Sequence, residues 1–133
     1  MEQELLKRAV ELAQALGRLM VATSSPDGVP HVAVARKIAW RGPDMVDVDE
    51  WVCPGTVSNA REGASVSLVV WDDRRDTGWQ LLGNVMGVED RAMLNGFLPD
   101  QKADHVPQVL RTLRIRVSRA LTFTQAPHDD QEE

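Results

Sequence analysis

The chain has 133 residues, a formal net charge of −5 from 15 basic and 20 acidic side chains, and a hydrophobic fraction of 43%. That is enough for one domain around a single core, and the acidic balance argues against a general nucleic-acid or membrane-surface binder. One cysteine, Cys53, excludes an internal disulfide and a multi-cysteine metal site. No apolar run reaches the ~18 residues of a membrane span, and no basic-then-apolar leader opens the chain, so a cytoplasmic protein is expected.

Residues 2–16 read as an amphipathic helix. Leu5, Leu6, Ala9, Leu12, Ala13 and Leu16 recur at three- and four-residue spacing, and Gly17 supplies a stop. Arg18 to Thr23 is a short apolar strand, followed by turn chemistry in Ser24-Ser25-Pro26-Asp27-Gly28. Val29 to Trp40 reads as one extended run closing a β-hairpin, with Pro30 at its start where a missing N–H is tolerated. Arg41-Gly42-Pro43-Asp44 makes the next turn. Met45 to Val52 then alternates apolar residues with Asp47, Asp49 and Glu50, the pattern of a half-exposed strand.

Cys53-Pro54-Gly55 breaks that strand. Thr56 to Gly63 reads as a two-turn helix with Thr56 as its N-cap and Gly63 as its stop. Ala64 to Trp71 is the clearest strand in the chain, and a polar loop carries it to a further strand at Trp79 to Val88. In that strand Gly83 and Gly87 suggest bulges or close backbone approach. Glu89 to Phe97 reads as a short helix, 98–107 as irregular, and Val109 to Thr124 as a last extended region. Residues 127–133, with Asp129, Asp130, Glu132 and Glu133, read as a solvated acidic tail beyond one domain over 1–126. Hairpin-linked strands with few helices argue for an antiparallel barrel of six to seven strands.

Three stretches, within roughly residues 16–90, carry a family resemblance. Ala22-Thr23 leads through a Pro-Asp-Gly turn into Pro30-His31-Val32. Thr56-Val57-Ser58-Asn59-Ala60 follows the third strand. Ser65 to Trp71 is followed by Gly78-Trp79-Gln80-Leu81-Leu82-Gly83. In this order they resemble the FMN-binding split β-barrel superfamily, which includes pyridoxamine 5′-phosphate oxidase-like proteins and small FMN-binding proteins. The resemblance implies an antiparallel split barrel, FMN as cofactor, a homodimer with the flavin at the subunit interface, and flavin-dependent oxidoreductase chemistry on an unknown substrate. No catalytic acid or base stands out.

On that reading Gly55, Thr56, Ser58 and Asn59 lie at the phosphate or ribityl end, and Arg36 or Lys37 meets the phosphate. Trp71, Trp79 and Gln80 lie near the ring. The residues support a phosphate site in their own right. A helix start offers free N–H groups, glycine lets an anion approach the backbone, and a cation is expected beside a phosphate. Arg36 shares a face with Val34 and Ile38, and Lys37 with Ala35 and Ala39, whose small side chains leave room for a ligand; Arg36 is the better phosphate fork.

The chain departs from the family at Gly55, which stands where tight FMN binders often carry Lys or Arg. The motif for vitamin B6 oxidation is also missing. The alternatives are therefore a non-enzymatic binding or sensor barrel without flavin, and a barrel using a deazaflavin or haem. Each residue also has a plainer role: an ordinary capped helix, edge-strand cations, and tryptophans in a core or interface. His31, His105 and His128 lack partners at metal-ligand spacing, Cys53 reads as a small apolar residue, and the Arg111, Arg114, Arg116 and Arg119 series as a solvated stripe.

Overall fold

The N-terminal apolar repeat forms helix α1 (Gln3–Leu16) and stops where expected, with Gly17 in the left-handed region at φ 71°. The computed structural model describes residues 1–51, 54–93 and 109–125. After α1 come β1 (Leu19–Ser24), β2 (Pro30–Ala35), β3 (Lys37–Trp40) and β4 (Met45–Trp51). The short helix α2 (Pro54–Asn59) follows, then β5 (Ser65–Asp72), β6 (Thr77–Met93) and β7 (Val109–Thr122).

Among the described residues the seven strands form one antiparallel sheet in the order β2-β1-β5-β6-β7-β4-β3. Strands β2 and β3 stand at its two ends, yet only Arg36 separates them along the chain. One residue spans about 3.5 Å, so the sheet has to curl until its ends meet, and a split barrel results. The single strand read at Val29–Trp40 is therefore two. β2 pairs with β1, β3 pairs with β4, and the residue parity of one does not carry into the other.

The inward side chains of the curled sheet and one stripe of α1 make the core. Leu5, Leu6, Ala9, Val10 and Ala13 of α1 are buried, and they meet buried Leu19, Val21, Val48, Leu68, Leu81 and Ile115 from the strands. Gln14 ties the helix to the sheet by donating to the Ile38 carbonyl at 3.0 Å.

Three further readings change. The segment Glu89–Met93 is not helical; it extends β6, pairing with Val109–Thr112 of β7. The rest of that expected helix, the 98–107 excursion, Cys53, His105, His128 and the acidic tail lie outside the described residues. The second helix occupies Pro54–Asn59, so Thr56 is its third residue and not its N-cap, while Gly63 sits in a turn at φ 85°. Lastly, Asp47 does not face solvent.

Asp47 lies opposite Arg114 in the β4–β7 ladder, and its side chain is only 2% exposed. Arg114 Nε donates to Oδ1 at 3.0 Å and Arg41 Nε to Oδ2 at 2.9 Å. Burial alone would raise this carboxyl's pKa. Hydrogen bonds from Arg114 and Arg41, with their charges, outweigh it and hold the group below its ordinary range. The basic stripe read on β7 thus divides: Arg114 is spent on Asp47, whereas Arg116 is exposed and pairs with Asp44 at 3.7 Å.

The glycines of β6 behave as read, for different reasons. The register slips between Leu82 and Gly83 and again between Val85 and Gly87. A Cβ at Gly83 would collide with the Arg116 carbonyl oxygen, whereas one at Gly87 would meet nothing within 4 Å. Gly83→Ala should therefore cost about 1–3 kcal/mol, and Gly87→Ala clearly less, in matched urea unfolding curves. The ion cluster gives a second expectation. A depressed carboxyl contributes stability above its unfolded pKa of about 3.9, lost as pH falls through the lower folded value. Asp47→Asn should lower the urea midpoint at pH 7, and its deficit relative to the native protein should shrink below about pH 4.

Candidate functional site

Strand alternation gives β1 and β2 two distinct faces. On β1, Leu19, Val21 and Thr23 point inward and are buried, while Met20 and Ala22 point outward. On β2, His31, Ala33 and Ala35 lie across from them on the inner side, leaving Val32 and Val34 outside. The residues singled out from the sequence divide between these two faces.

Helix α2 packs on the inner side against β1 and β2. Thr56 is fully buried, and its hydroxyl shares a 3.2 Å hydrogen bond with His31 Nδ1. Asn59 Nδ2 donates to the buried Thr23 hydroxyl at 3.1 Å. Gly55 lies under the His31 ring: a Cβ there would fall 2.6 Å from both Cδ2 and Nε2. The access to backbone that a glycine would grant an anion is thus taken up by an imidazole. Ser58, Arg36 and Lys37 are exposed, and among the described residues neither the Arg36 nor the Lys37 side chain makes a hydrogen bond or ion pair.

The outer face carries a cavity of about 640 Å³. Its walls are largely apolar (Met20, Val32, Val34, Val69, Trp71 and Phe123), and Arg18, Asp73 and Gln125 supply polar edges. Met20, Val32 and Val34 are 48%, 60% and 62% exposed, an apolar surface that water-facing strands do not ordinarily present. Volume and lining are those of a small-molecule pocket or a protein contact.

Trp71 is the one predicted ring neighbour in this cavity, and it is held firmly. Its Nε1 donates to Asp76 Oδ1 at 3.0 Å, and its ring meets Phe123 edge-on at 6.2 Å and 77°. Asp76 Oδ1 also accepts from the Gln125 backbone N–H at 2.7 Å, so one carboxylate braces two parts of the wall. Asp76 adopts φ 47°, a region that Asp tolerates better than most residues. Gln80 shares the outer face but donates to Ser67 at 2.8 Å and does not line the cavity. Trp79 pairs with the buried Val70 and packs against the core.

Within one chain, then, the polar residues of α2 and the aromatic cavity lie on opposite sides of the β1–β2 ribbon. An isoalloxazine ring fits the cavity's size and lining. A phosphate does not fit at Gly55 and Thr56 while the His31 ring sits there. Sequence reading missed Arg18, Met20, Val32, Val34 and Asp76. One signal was available: β1 and β2 are apolar at both parities, more than a strand with one wet face requires.

No protein-family model matches the chain, and no curated protein matches it in sequence. Solved structures do match. An FMN-binding protein from Syntrophomonas wolfei subsp. wolfei superimposes with a TM-score of 0.63 at 19% identity, covering 94% of this chain and 90% of that one. A putative pyridoxamine 5′-phosphate oxidase from Lactobacillus delbrueckii gives 0.62 at 19% identity, over 86% and 90%. An F420 reductase gives 0.57 at 20% identity, over 83% and 93%. The chain therefore has the split β-barrel fold of the pyridoxamine 5′-phosphate oxidase-like and FMN-binding proteins.

Proposed function

We propose that the chain is a cytoplasmic FMN-binding protein that works as a homodimer, with flavin-dependent oxidoreductase activity on a substrate yet to be identified. The observation that carries this reading is the apolar cavity on the outer face of β2, β1 and β5, with Trp71 fixed in its wall. A flat ring gains by stacking on Trp71 and by leaving water among Met20, Val34 and Val69. Arg36 and Lys37, whose side chains are exposed and uncommitted among the described residues, are the cations available to the phosphate, and Ser58 of α2 is exposed as well.

Gly55, Thr56 and Asn59 stay on the inner side, and a cofactor can reach both sets only where two copies meet. The second copy also covers Met20, Val32 and Val34, which one chain leaves in water. When bound, the flavin supplies hydride or electron transfer; the chain's own residues bind it, orient it and exclude water. The F420 reductase with this fold makes a deazaflavin the rival cofactor. A barrel without flavin is favoured by one observation, the His31 ring over Gly55.

The test is an absorption spectrum before and after excess FMN, with bound ligand and molar mass read together by gel filtration and light scattering. The expected result is one flavin per chain on a particle of twice the 14.8 kDa chain mass. Val34→Asp should shift that particle to the monomer and release the flavin, because an unpaired carboxylate is costly to bury at an apolar contact. No flavin uptake would overturn the cofactor assignment, and a native monomer would overturn the dimer.

A further inference from the structure

We propose that His31 determines whether the flavin phosphate contributes to binding at α2: its ring holds the seat over Gly55 and Thr56, so the chain recognises the ring and ribityl parts of its ligand without the phosphate there. This rests on the flavin reading and narrows its ligand class. Strand pairing places His31 opposite Thr23, which points its side chain inward toward α2. Its ring atoms Cδ2, Nε2 and Cε1 lie 2.6, 2.6 and 3.1 Å from where a side chain at residue 55 would begin. A phosphate oxygen accepting from a backbone N–H needs a heavy-atom distance of about 2.7–3.0 Å. The imidazole and the phosphate compete for that volume.

The neighbouring groups are committed in the same direction. Thr56 has no exposed surface and its hydroxyl bonds His31, so it reaches an incoming anion only after the ring has left. Asn59 is turned to Thr23. Gly55 carries no cation of its own, and a six-residue helix adds little dipole. His31 thus fills the space that a larger residue at 55 would occupy, and it fixes α2 to β2.

The test compares FMN with riboflavin, which has the same ring and ribityl chain but no phosphate, by quenching of flavin fluorescence on the full chain. In an Arg36→Ala/Lys37→Ala protein, which removes the phosphate's other contacts and leaves only the α2 seat, the two should bind with affinities within about threefold, a difference of roughly 0.7 kcal/mol. His31→Ala, with His31→Ser beside it as the polar variant, should open the seat and shift preference toward FMN by about tenfold. Gly55→Ala supplies a reading that needs no ligand. It should lower the melting temperature of the native protein but not of the His31→Ala protein, where the colliding ring is gone. A preference for FMN of about tenfold or more in the Arg36→Ala/Lys37→Ala protein would overturn the proposal. So would no gain in either His31 variant, or an equal Gly55→Ala penalty in both backgrounds. Binding of neither flavin would sink the flavin reading itself, and the melting comparison would then decide His31's seat alone.

Discussion

Arg36 connects two strands that lie at opposite ends of a seven-stranded sheet, and a one-residue link cannot cross a flat sheet of that width. Adjacent strands stand about 4.8 Å apart, so an open sheet would separate β2 from β3 by nearly 30 Å. The sheet closes on itself instead. Closure gives it an inside, which α1 helps to fill, and an outside on which β1 and β2 remain apolar. Most of what distinguishes this chain follows from that curl.

Inside and outside then receive different chemistry from neighbouring residues. Thr23 and His31 face α2, whereas Ala22 and Val32, one position away in each strand, line the outer cavity. The polar cluster is closed on itself: Thr56 with His31, Asn59 with Thr23. The cavity is open and apolar, with its aromatic wall braced through Asp76. One side is finished within the single chain. The other exposes apolar surface that a ligand, a second copy, or both can remove from water at a gain of about 25 cal/mol per Å².

On β4, Asp47 shows how burial and charge balance. Val46 and Val48 turn into the core, Asp47 lies on the other face of β4, and a lone carboxylate buried there would be expensive. Two guanidiniums that keep about half their surface in water make it tolerable, because they satisfy both oxygens without being fully desolvated themselves. The cluster joins β4 to β7 and the turn at Arg41 and shares no residue with the α2 cluster.

The sequence by itself determined whatever rests on short-range rules. The α1 repeat and its left-handed Gly17 stop, the Ser25–Gly28 turn, the alternation of β5 and the irregularity at Gly83 each depend on residues a few positions apart. The motif order determined the barrel resemblance, because a topology constrains the order of its turns. Tertiary structure decided the rest. It broke the apparent strand at Arg36, since β2 and β3 answer to different neighbours. It drew Glu89–Met93 into β6, since β7 offers a ladder there that outweighs local helix preference. It buried Asp47, since Arg114 arrives from 67 residues away. It set Trp71 outward and Trp79 inward, since the β5–β6 register pairs them with Gly78 and Val70. And it placed His31 on Gly55, a contact between residues 24 positions apart that no local pattern specifies, because only strand pairing and the seat of α2 bring them together.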